Sequence, residues 1–422
     1  MKRIAILFGI VALAGCRSGN STPPEPEPEP VPPPVEWSAD MQAVAEGNNR
    51  FATDIYGKLS ESEKGKNLFF SPYSIHTALG MTATGAKGTT RDQMVKVLHL
   101  PEDEQRALAS GDMGRYYAHP RKDYELSVAN ALWGQKDFPW RAEWLAVQNE
   151  RFGAGFNEVD FFKDKLGSIA RINGWVEEKT RGKIQGLLKP EDVPVSGGAI
   201  TRLILTNAIY FKGKWADEFT KNATTDQPFH LAAGGSVPAP LMARTGTYGY
   251  ADLGELQALE LPYKGSELSM VVLLPRKADG LPAIEKQLAA VKLSAWMGKL
   301  ESKRVSVHLP RFKQEQRFEP RKQLEALGML AAFDPEVSDF SGMADLSKEA
   351  PLFIYKVIHQ SFVDVNEEGT EAAAATAVVM ATPASAESPP VEFRADRPFL
   401  FLIRDVKHGT ILFMGRVMNP KG

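Results

Sequence analysis

The chain has 422 residues, with 50 basic and 52 acidic side chains and 43% hydrophobic residues, which supports a large buried core and excludes disorder as the overall state. A net charge of −2 provides no excess of cations for a phosphate backbone and argues against nucleic acid as the main partner. The only cysteine is Cys16, so the rest of the chain has neither disulfides nor thiolate chemistry.

The N-terminus has the pattern of a secretory signal. Two basic residues precede an apolar run at residues 4–13, which is too short to span a bilayer. Leu13-Ala14-Gly15-Cys16 then resembles a bacterial lipobox, in which the cysteine becomes the lipidated N-terminus of the mature chain. Arg17, and not aspartate, follows the cysteine. By the usual sorting pattern of such lipoproteins, we therefore expect anchoring at the outer membrane or cell surface. An ordinary secreted signal with an incidental cysteine is the alternative.

A proline-rich segment follows the cysteine. Eight of the 29 prolines lie between Pro23 and Pro34, interleaved with glutamates. Because proline fixes φ and lacks an amide donor, these residues predict a stiff polyproline II spacer of roughly 40 Å. A flexible linker is the alternative, and both are compatible with the same function. The domain prediction is a signal peptide at 1–15, the lipidated cysteine and linker at 16–36, and one folded domain at 37–422.

The folded part mixes helical and strand patterns. Helical periodicity predicts helices at residues 37–59, 73–84, 90–98, 165–180, 281–297 and 321–329. Alternating or β-rich runs predict strands at residues 126–133, 202–211, 268–274, 304–309, 399–403 and 410–417, the last two forming a hairpin. The intermixing without regular βαβ spacing favours an α+β fold over a doubly wound sheet.

Enzyme signatures are lacking in the sequence. It contains neither His-Glu-x-x-His nor Gly-x-Ser-x-Gly, and its seven histidines show no pair at the helical spacing of a zinc site. Residues 80–87 come close to a phosphate-binding loop, but Ala86 stands directly before the lysine. We therefore predict that the protein is not an enzyme, has no metal site and needs no cofactor.

The most informative segment is residues 365–385. Its alanine run has high helix propensity. If the segment is instead a strand, its side chains alternate between two faces: one face is uncharged, and the other begins with Glu371. The uncharged face consists of Thr370, Ala372, Ala374, Thr376, Val378 and Met380. Small side chains on this face would let a strand enter between two others without overpacking, and Gly369 would let the backbone hinge. Propensity alone does not choose between helix and latent strand.

This hinge segment and six others together resemble one family. The hinge motif is Glu367-Glu368-Gly369-Thr370-Glu371-Ala372-Ala373-Ala374-Ala375-Thr376, and the other matching segments are residues 67–75, 85–90, 205–215, 309–313, 397–401 and 412–420. In order and over residues 37–422, they resemble the serpins, the serine protease inhibitor family. The resemblance implies an α+β serpin fold with three β-sheets, eight or nine helices and an exposed reactive-centre loop at about 367–393.

The resemblance also implies a mechanism. A target serine protease attacks the loop and forms an acyl-enzyme, so that it becomes a covalent partner. The cut loop inserts as an extra strand into the main sheet before the ester hydrolyses, an established form of strand addition. A fold that gains a strand only after cleavage is metastable and held kinetically. We expect the inhibitor itself to be a monomer.

Two groups of residues match positions with known family roles. Ser71, Ser74, Asn207 and His359 resemble the shutter, a hydrogen-bond cluster beneath the sheet that must part to admit the loop. Trp215 resembles the breach residue, where insertion begins. Buried polar groups satisfied within a core are the plain structural alternative for the shutter, and an ordinary core residue is the alternative for Trp215.

The scissile bond is where the sequence departs from the family. Seventeen residues counted from Glu367 place Pro383 directly before the cut, where proline is unfavourable. Cleavage after Thr382 would put proline on the leaving side, so we predict the bond Ala384–Ser385. Met380–Ala381 is a further alternative. No Arg or Lys lies between Glu371 and Phe393, so elastase-like or subtilisin-like proteases fit better than trypsin-like ones.

Two functions stay open at the sequence level. The charge-free hinge predicts an inhibitor of serine proteases or of papain-like cysteine proteases. Pro383, which is unfavourable directly before a cleaved bond, favours a non-inhibitory serpin that acts as a surface binding or structural protein.

Overall fold

The computed structural model describes residues 34–153, 156–196, 200–349, 351–370 and 389–422. Cys16, the hinge residues 371–376 and the scissile-bond candidates Met380, Ala381, Thr382, Pro383, Ala384 and Ser385 lie outside the described residues. In the described ranges, no helix is long and apolar enough to cross a membrane. Within the same ranges, no group of His, Cys, Asp or Glu side chains is placed to hold a metal ion.

Ten α-helical segments lie in the described parts of the chain. They are α1 (Ala39–Ser62), α2 (Pro72–Ala83), α3 (Gly88–Leu98), α4 (Glu104–Ala107), α5 (Ala109–Ala118), α6 (Ala142–Phe152), α7 (Lys165–Lys179), α8 (Leu281–Glu285), α9 (Ala290–Met297) and α10 (Arg321–Ala326). Only Leu108 separates α4 from α5, so the segments amount to nine helical bodies in these ranges, as the family resemblance implied.

Fifteen strands are assigned in the same residues. They are β1 (Leu68–Phe70), β2 (Tyr124–Gln135), β3 (Phe156–Val159), β4 (Leu203–Lys214), β5 (Thr225–His230), β6 (Ser236–Asp252), β7 (Leu256–Pro262), β8 (Leu268–Pro275), β9 (Glu301–Pro310), β10 (Phe312–Phe318), β11 (Ile358–Asn366), β12 (Gly369–Thr370), β13 (Val391–Arg394), β14 (Phe399–Asp405) and β15 (Ile411–Val417). The tail hairpin is confirmed, since β14 and β15 pair antiparallel.

Helix starts follow the capping residues. The Ser38 side chain accepts a hydrogen bond from the Met41 amide at the start of α1. At α2, Ser71 is the N-cap and Pro72 occupies the first turn. A backbone N–H at that position would have no partner within the helix, so proline is well tolerated there. The predicted single helix at 281–297 is wrong: it divides into α8 and α9, because the backbone of Ala289 is extended. No glycine or proline marks this break, so periodicity could not locate it.

The strands form two hydrogen-bonded networks in the described residues. One has nine strands, in the order β1-β15-β14-β8-β7-β6-β9-β13 with β5 paired to β6. The other has six, in the order β10-β11-β12-β4-β2-β3. The long β6 pairs with β9 from Leu241 to Tyr250 and with β7 from Gly249 to Asp252, so one strand serves two parts of the larger network. These two parts and the six-stranded sheet correspond to the three expected sheets.

The six-stranded sheet is covered on both faces. On one face, α7 and the segment after it bury Ile172, Val176 and Leu188 against β2, β4 and Ile358 of β11. On the other face, Val363 and Val365 of β11 share a core with the nine-stranded network. Side chains along β11 therefore alternate between the two cores, as the period of a strand requires.

Candidate functional site

The candidate site is the boundary between β4 and β11 at the centre of the six-stranded sheet. These two strands pair in parallel over five positions, from Thr206↔Ile358 to Tyr210↔Phe362. We call these five pairs the seam. Beyond them the strands diverge, and β12 lies between them, antiparallel to both. We call this end of the sheet the insertion end. β12 therefore runs toward the seam, and Thr370 is its residue nearest to the five pairs.

Thr370 is the innermost described residue of the hinge. Its backbone lies opposite Val365 on one side and Gly213 on the other, and its side chain is fully buried. Directly opposed residues point to the same face of a sheet, so Thr370 faces the core shared with Val365. Its hydroxyl forms a hydrogen bond of 2.7 Å with the Tyr263 hydroxyl. Burial raises the pKa of Tyr263, so this phenol is neutral.

Gly369 can only be glycine in this geometry. Its φ is +153°, and a Cβ built on it would lie 2.1 Å from the backbone oxygen of Gly213. The close approach of β12 to β4 depends on the missing side chain.

Two buried glutamates hold the turn before β12. Arg311 donates from Nε to both carboxylate oxygens of Glu367, each at 2.8 Å, and Thr224 also donates to Glu367. Burial by itself raises the pKa of Glu367, but the hydrogen bonds from Arg311 and Thr224 outweigh it and hold that pKa below its ordinary value. Lys221 donates to Glu368 at 2.6 Å. Both carboxylates therefore tie the hinge to the insertion end.

Trp215 lies beside the same turn. Its ring stacks on Tyr263 with centroids 4.7 Å apart, and its Nε1 donates to the Asn366 oxygen at 2.9 Å. Its backbone amide donates to the Glu368 oxygen at 3.0 Å. The residue that resembles the breach thus contacts the chain on both sides of Glu367, where the hinge begins.

The four residues that resemble the shutter form one buried network across the seam. Asn207 of β4 donates from Nδ2 to Ser74 Oγ at 2.6 Å, and Ser71 Oγ accepts from the Ser74 amide at 3.0 Å. His359 of β11 is the ladder partner of Asn207, and its Nδ1 contacts Asn207 Oδ1. Asn130 of β2 completes the network through Asn207 Nδ2 at 2.8 Å. Separating β4 from β11 therefore requires breaking the His359–Asn207 contact.

The hydrogen bonds also fix the charge state of His359. Its Nε2 accepts from the Ser71 amide at 3.1 Å, so the ring proton sits on Nδ1 and is donated to Asn207. A second proton on Nε2 would point at the Ser71 N–H and lose this bond. Burial lowers the pKa of His359 to about 3 and that of His76 on α2 to about 4.

Acid is therefore expected to destabilise the fold through His359 in the shutter and through His76 on α2. Both histidines have a lower pKa in the folded than in the unfolded state, so the unfolded chain binds more protons below pH 6.5. Their stabilisation is fully present above about pH 6.5 and is lost as the pH falls toward 3–4, by up to about 1.4 kcal/mol per pH unit for each. Thermal unfolding at a fixed scan rate, at pH 7 and pH 5, measures this loss.

His359→Gln is the matched control, because glutamine has a donor and an acceptor but does not titrate in this range. Its melting temperature should fall less between pH 7 and pH 5 than that of the unchanged protein. An equal fall in both proteins would exclude His359 as a contributor.

Sequence reasoning did not identify several contacts of the site. Asn130 was detectable as a polar residue within a buried strand pattern, and Arg311 lies in the matched segment 309–313. Tyr263, Thr224 and Lys221 show no such pattern, because only the tertiary register brings them to the hinge.

The chain is similar to known proteins over most of its length. A family model described as serpin (serine protease inhibitor) matches residues 46–420. An uncharacterized serpin-like protein of Thermococcus kodakarensis is 41% identical over 90% of this chain and 86% of its own length. The human leukocyte elastase inhibitor is 39% identical over 90% of this chain and all of its own. The solved structure of human thyroxine-binding globulin has a TM-score of 0.80 at 26% identity, covering 91% of this chain and all of that one.

Proposed function

We propose that this chain, which belongs to the serpin family, is a suicide-substrate inhibitor of serine proteases that traps its target by inserting the cut loop into the seam. The observation that carries the proposal is β12: the first hinge residues already lie between β4 and β11, aimed along the seam. The relatives named as protease inhibitors support the coarser statement that the family role is inhibition and not catalysis.

Hydrogen bonding between the cut loop and the seam strands would drive the trapping of the protease. The protease serine attacks the loop carbonyl, the peptide bond breaks, the new amine leaves, and the loop remains joined to the protease as an ester. The freed loop end then separates the five seam pairs and forms ladder hydrogen bonds with β4 on one side and β11 on the other. The exchange replaces one row of backbone hydrogen bonds with two, which favours the inserted state.

The uncharged face of the hinge suits this path. Thr370 points into the core shared with Val365, so the alternation of the sequence predicts Ala372, Ala374 and Thr376 on the same buried side. Glu371 then falls on the opposite side, toward the α7 layer. Small residues on the core side can pass above the shutter without displacing large side chains.

The proposed targets are elastase-like or subtilisin-like serine proteases. The loop has no Arg or Lys for a trypsin-like pocket, and a relative is named leukocyte elastase inhibitor. We propose cleavage at Ala384–Ser385, with Met380–Ala381 and Thr382–Pro383 as alternatives. Papain-like cysteine proteases are a second target class, since they too form an acyl-enzyme.

We further propose that Cys16 carries the lipid that anchors the protein at a bacterial outer membrane or cell surface. The support is the lipobox-like Leu13-Ala14-Gly15-Cys16, followed by the Pro/Glu segment. The membrane is then a second partner, and residues 37–422 act as the inhibitor domain.

A non-inhibitory serpin is the second candidate function. Pro383 at the family's usual cleavage position favours it, and one structural relative is named for binding thyroxine. In that case the surface would bind a ligand or partner, and the loop would be cut without trapping.

The deciding experiment mixes the purified protein with pancreatic elastase, subtilisin and papain in separate reactions. Inhibition predicts an SDS-stable band at the summed mass of the serine protease and the N-terminal fragment of the inhibitor, and a C-terminal fragment, separated by SDS, whose first residue identifies the bond. A protease inactivated at its nucleophile is the matched control and should give no such band. Clean cleavage by all three proteases without a complex would contradict the proposal and favour the second candidate.

A further inference from the structure

Residues 34–37 form an extended segment on the surface of the domain, directly before the N-cap of α1. Val35 and Trp37 are partly buried and pack against the core of the nine-stranded network, whereas Pro34 and Glu36 are exposed. This alternation is that of an extended chain with one face on the protein. We call residues 34–37 the N-terminal strap.

Trp37 lies among three aromatic rings of the domain. Its indole stacks on the imidazole of His408, with centroids 3.9 Å apart and planes 13° apart. It meets Tyr116 edge-on at 5.0 Å and Tyr117 edge-on at 6.0 Å. Aromatic pairs in these geometries stabilise a protein beyond the area that they bury. Trp37 is therefore the residue that fixes the strap to the domain.

Tyr117 connects this contact with the interior. Its side chain is buried, and its hydroxyl donates to Asp405 Oδ2 at 2.9 Å, the oxygen that also contacts His408 Nδ1. The Tyr117 ring meets the Tyr73 ring edge-on at 5.2 Å. Tyr73 is fully buried and belongs to the first turn of α2. A row of three rings, from Trp37 through Tyr117 to Tyr73, thus joins the strap to α2.

The first turn of α2 bridges the two strands of the seam. The Ser71 amide donates to His359 Nε2 of β11 at 3.1 Å. Ser74 Oγ accepts from Asn207 Nδ2 of β4 at 2.6 Å. Tyr73 lies between these two serines in the chain. Because β4 and β11 cannot separate while this turn keeps both bonds, the position of the turn controls the opening of the seam.

We propose that the N-terminal strap keeps the seam closed in the uncut protein by holding Tyr73, and with it the first turn of α2, in place. Without the strap, this turn shifts more readily, the seam opens, and the uncut loop inserts on its own. An inserted loop is no longer exposed to a protease, so inhibition is lost. The inference rests on the proposed function, because it concerns the regulation of the same seam.

The test incubates the unchanged full chain and its Trp37→Ala variant without protease, at one temperature below the melting of both. Samples taken over time are assayed for inhibition of elastase and for the fraction that melts at a higher temperature, as a protein with an inserted loop should. Trp37→Ala should lose inhibition at least tenfold faster, with a matching rise in the high-melting fraction. Trp37→Phe keeps an aromatic ring beside His408 and should recover most of the original half-life.

Trp296→Ala is the matched control. Trp296 is a buried tryptophan of α9, and it belongs to a different hydrophobic cluster from the one on which the strap packs. Its replacement should lower the thermal midpoint of fresh protein at least as much as Trp37→Ala does, without comparable acceleration of insertion. Equal acceleration by both variants, or none by Trp37→Ala, would overturn the proposal.

A milder pair of variants serves if Trp37→Ala yields no folded protein. Val35→Ser weakens the second inward contact of the strap and should speed insertion about threefold, since it leaves Trp37 in place. Glu36→Ser changes the exposed face and should leave the rate unaltered. Equal rates for these two variants would contradict a role of the strap.

The route through Tyr73 is tested by a double-mutant cycle. Tyr73→Leu keeps the position apolar but removes the ring that Tyr117 contacts. In this background Trp37→Ala should speed insertion much less than it does alone, whereas rate effects that simply multiply would overturn the proposal. The proposed function fails separately, if fresh unchanged protein does not inhibit elastase. The strap would then be judged by the high-melting fraction alone.

Discussion

Thr370→Arg is expected to turn the inhibitor into a substrate. Thr370 is fully buried between β4 and β11 and faces the core through its contact with Tyr263. In the intact protein β12 can leave the sheet and expose an arginine to solvent, whereas insertion of the whole cut loop would bury its unpaired guanidinium, at a cost of several kcal/mol. Insertion slows, hydrolysis of the ester overtakes it, and the protease is released active.

The measurement is the ratio of SDS-stable complex to cleaved inhibitor after reaction with elastase. This ratio should fall at least tenfold in Thr370→Arg. Thr247→Arg is the matched control: Thr247 is exposed on β6, so the same change there should leave the ratio unaltered. Full trapping by Thr370→Arg would show that this side chain is not buried on insertion.

Glu367→Lys is expected to destabilise the native fold by about 2–4 kcal/mol. The Glu367 side chain is 3% exposed and is bound by Arg311, which is 43% exposed. Lysine would place two cations side by side at the start of the hinge. Because Arg311 is partly solvated, the loss should lie below that of a fully buried pair. The thermal midpoint should fall, and β12 should leave the sheet.

Two further variants separate charge from packing. Glu367→Gln keeps hydrogen-bond acceptors for Arg311 and Thr224, so it should lose less stability than Glu367→Lys. Combining Glu367→Lys with Arg311→Glu restores opposite charges and should recover part of the loss. Strictly additive effects in this double-mutant cycle would exclude a direct interaction between positions 367 and 311.

The elements with strong periodicity could be predicted from the sequence. The strand pattern at 126–133 and the helical pattern at 165–180 depend on which side chains face a core, and both appear in the structure as β2 and α7. The division between α8 and α9 could not be predicted, because an extended Ala289 leaves no mark in composition. The 17-residue β6 was also missed, since it passes between two parts of its sheet and lacks one constant buried face.

The candidate site, too, could be predicted from the sequence only in part. Ser71, Ser74, Asn207 and His359 were grouped by motif alone, and the structure brings them together beneath the seam. The network also needs Asn130, and the hinge needs Tyr263, which are distant in sequence. Their roles depend on the register between strands, which no local pattern encodes.

The central claim is that the cut loop inserts between β4 and β11, and the thermal unfolding of loop-cleaved protein tests it most directly. Insertion adds backbone hydrogen bonds along both strands, each worth about 1 kcal/mol. The cleaved protein, with its two fragments still associated, should melt at least about 10 °C above the intact protein. A cleaved protein that melts at or below the temperature of the intact one would contradict insertion.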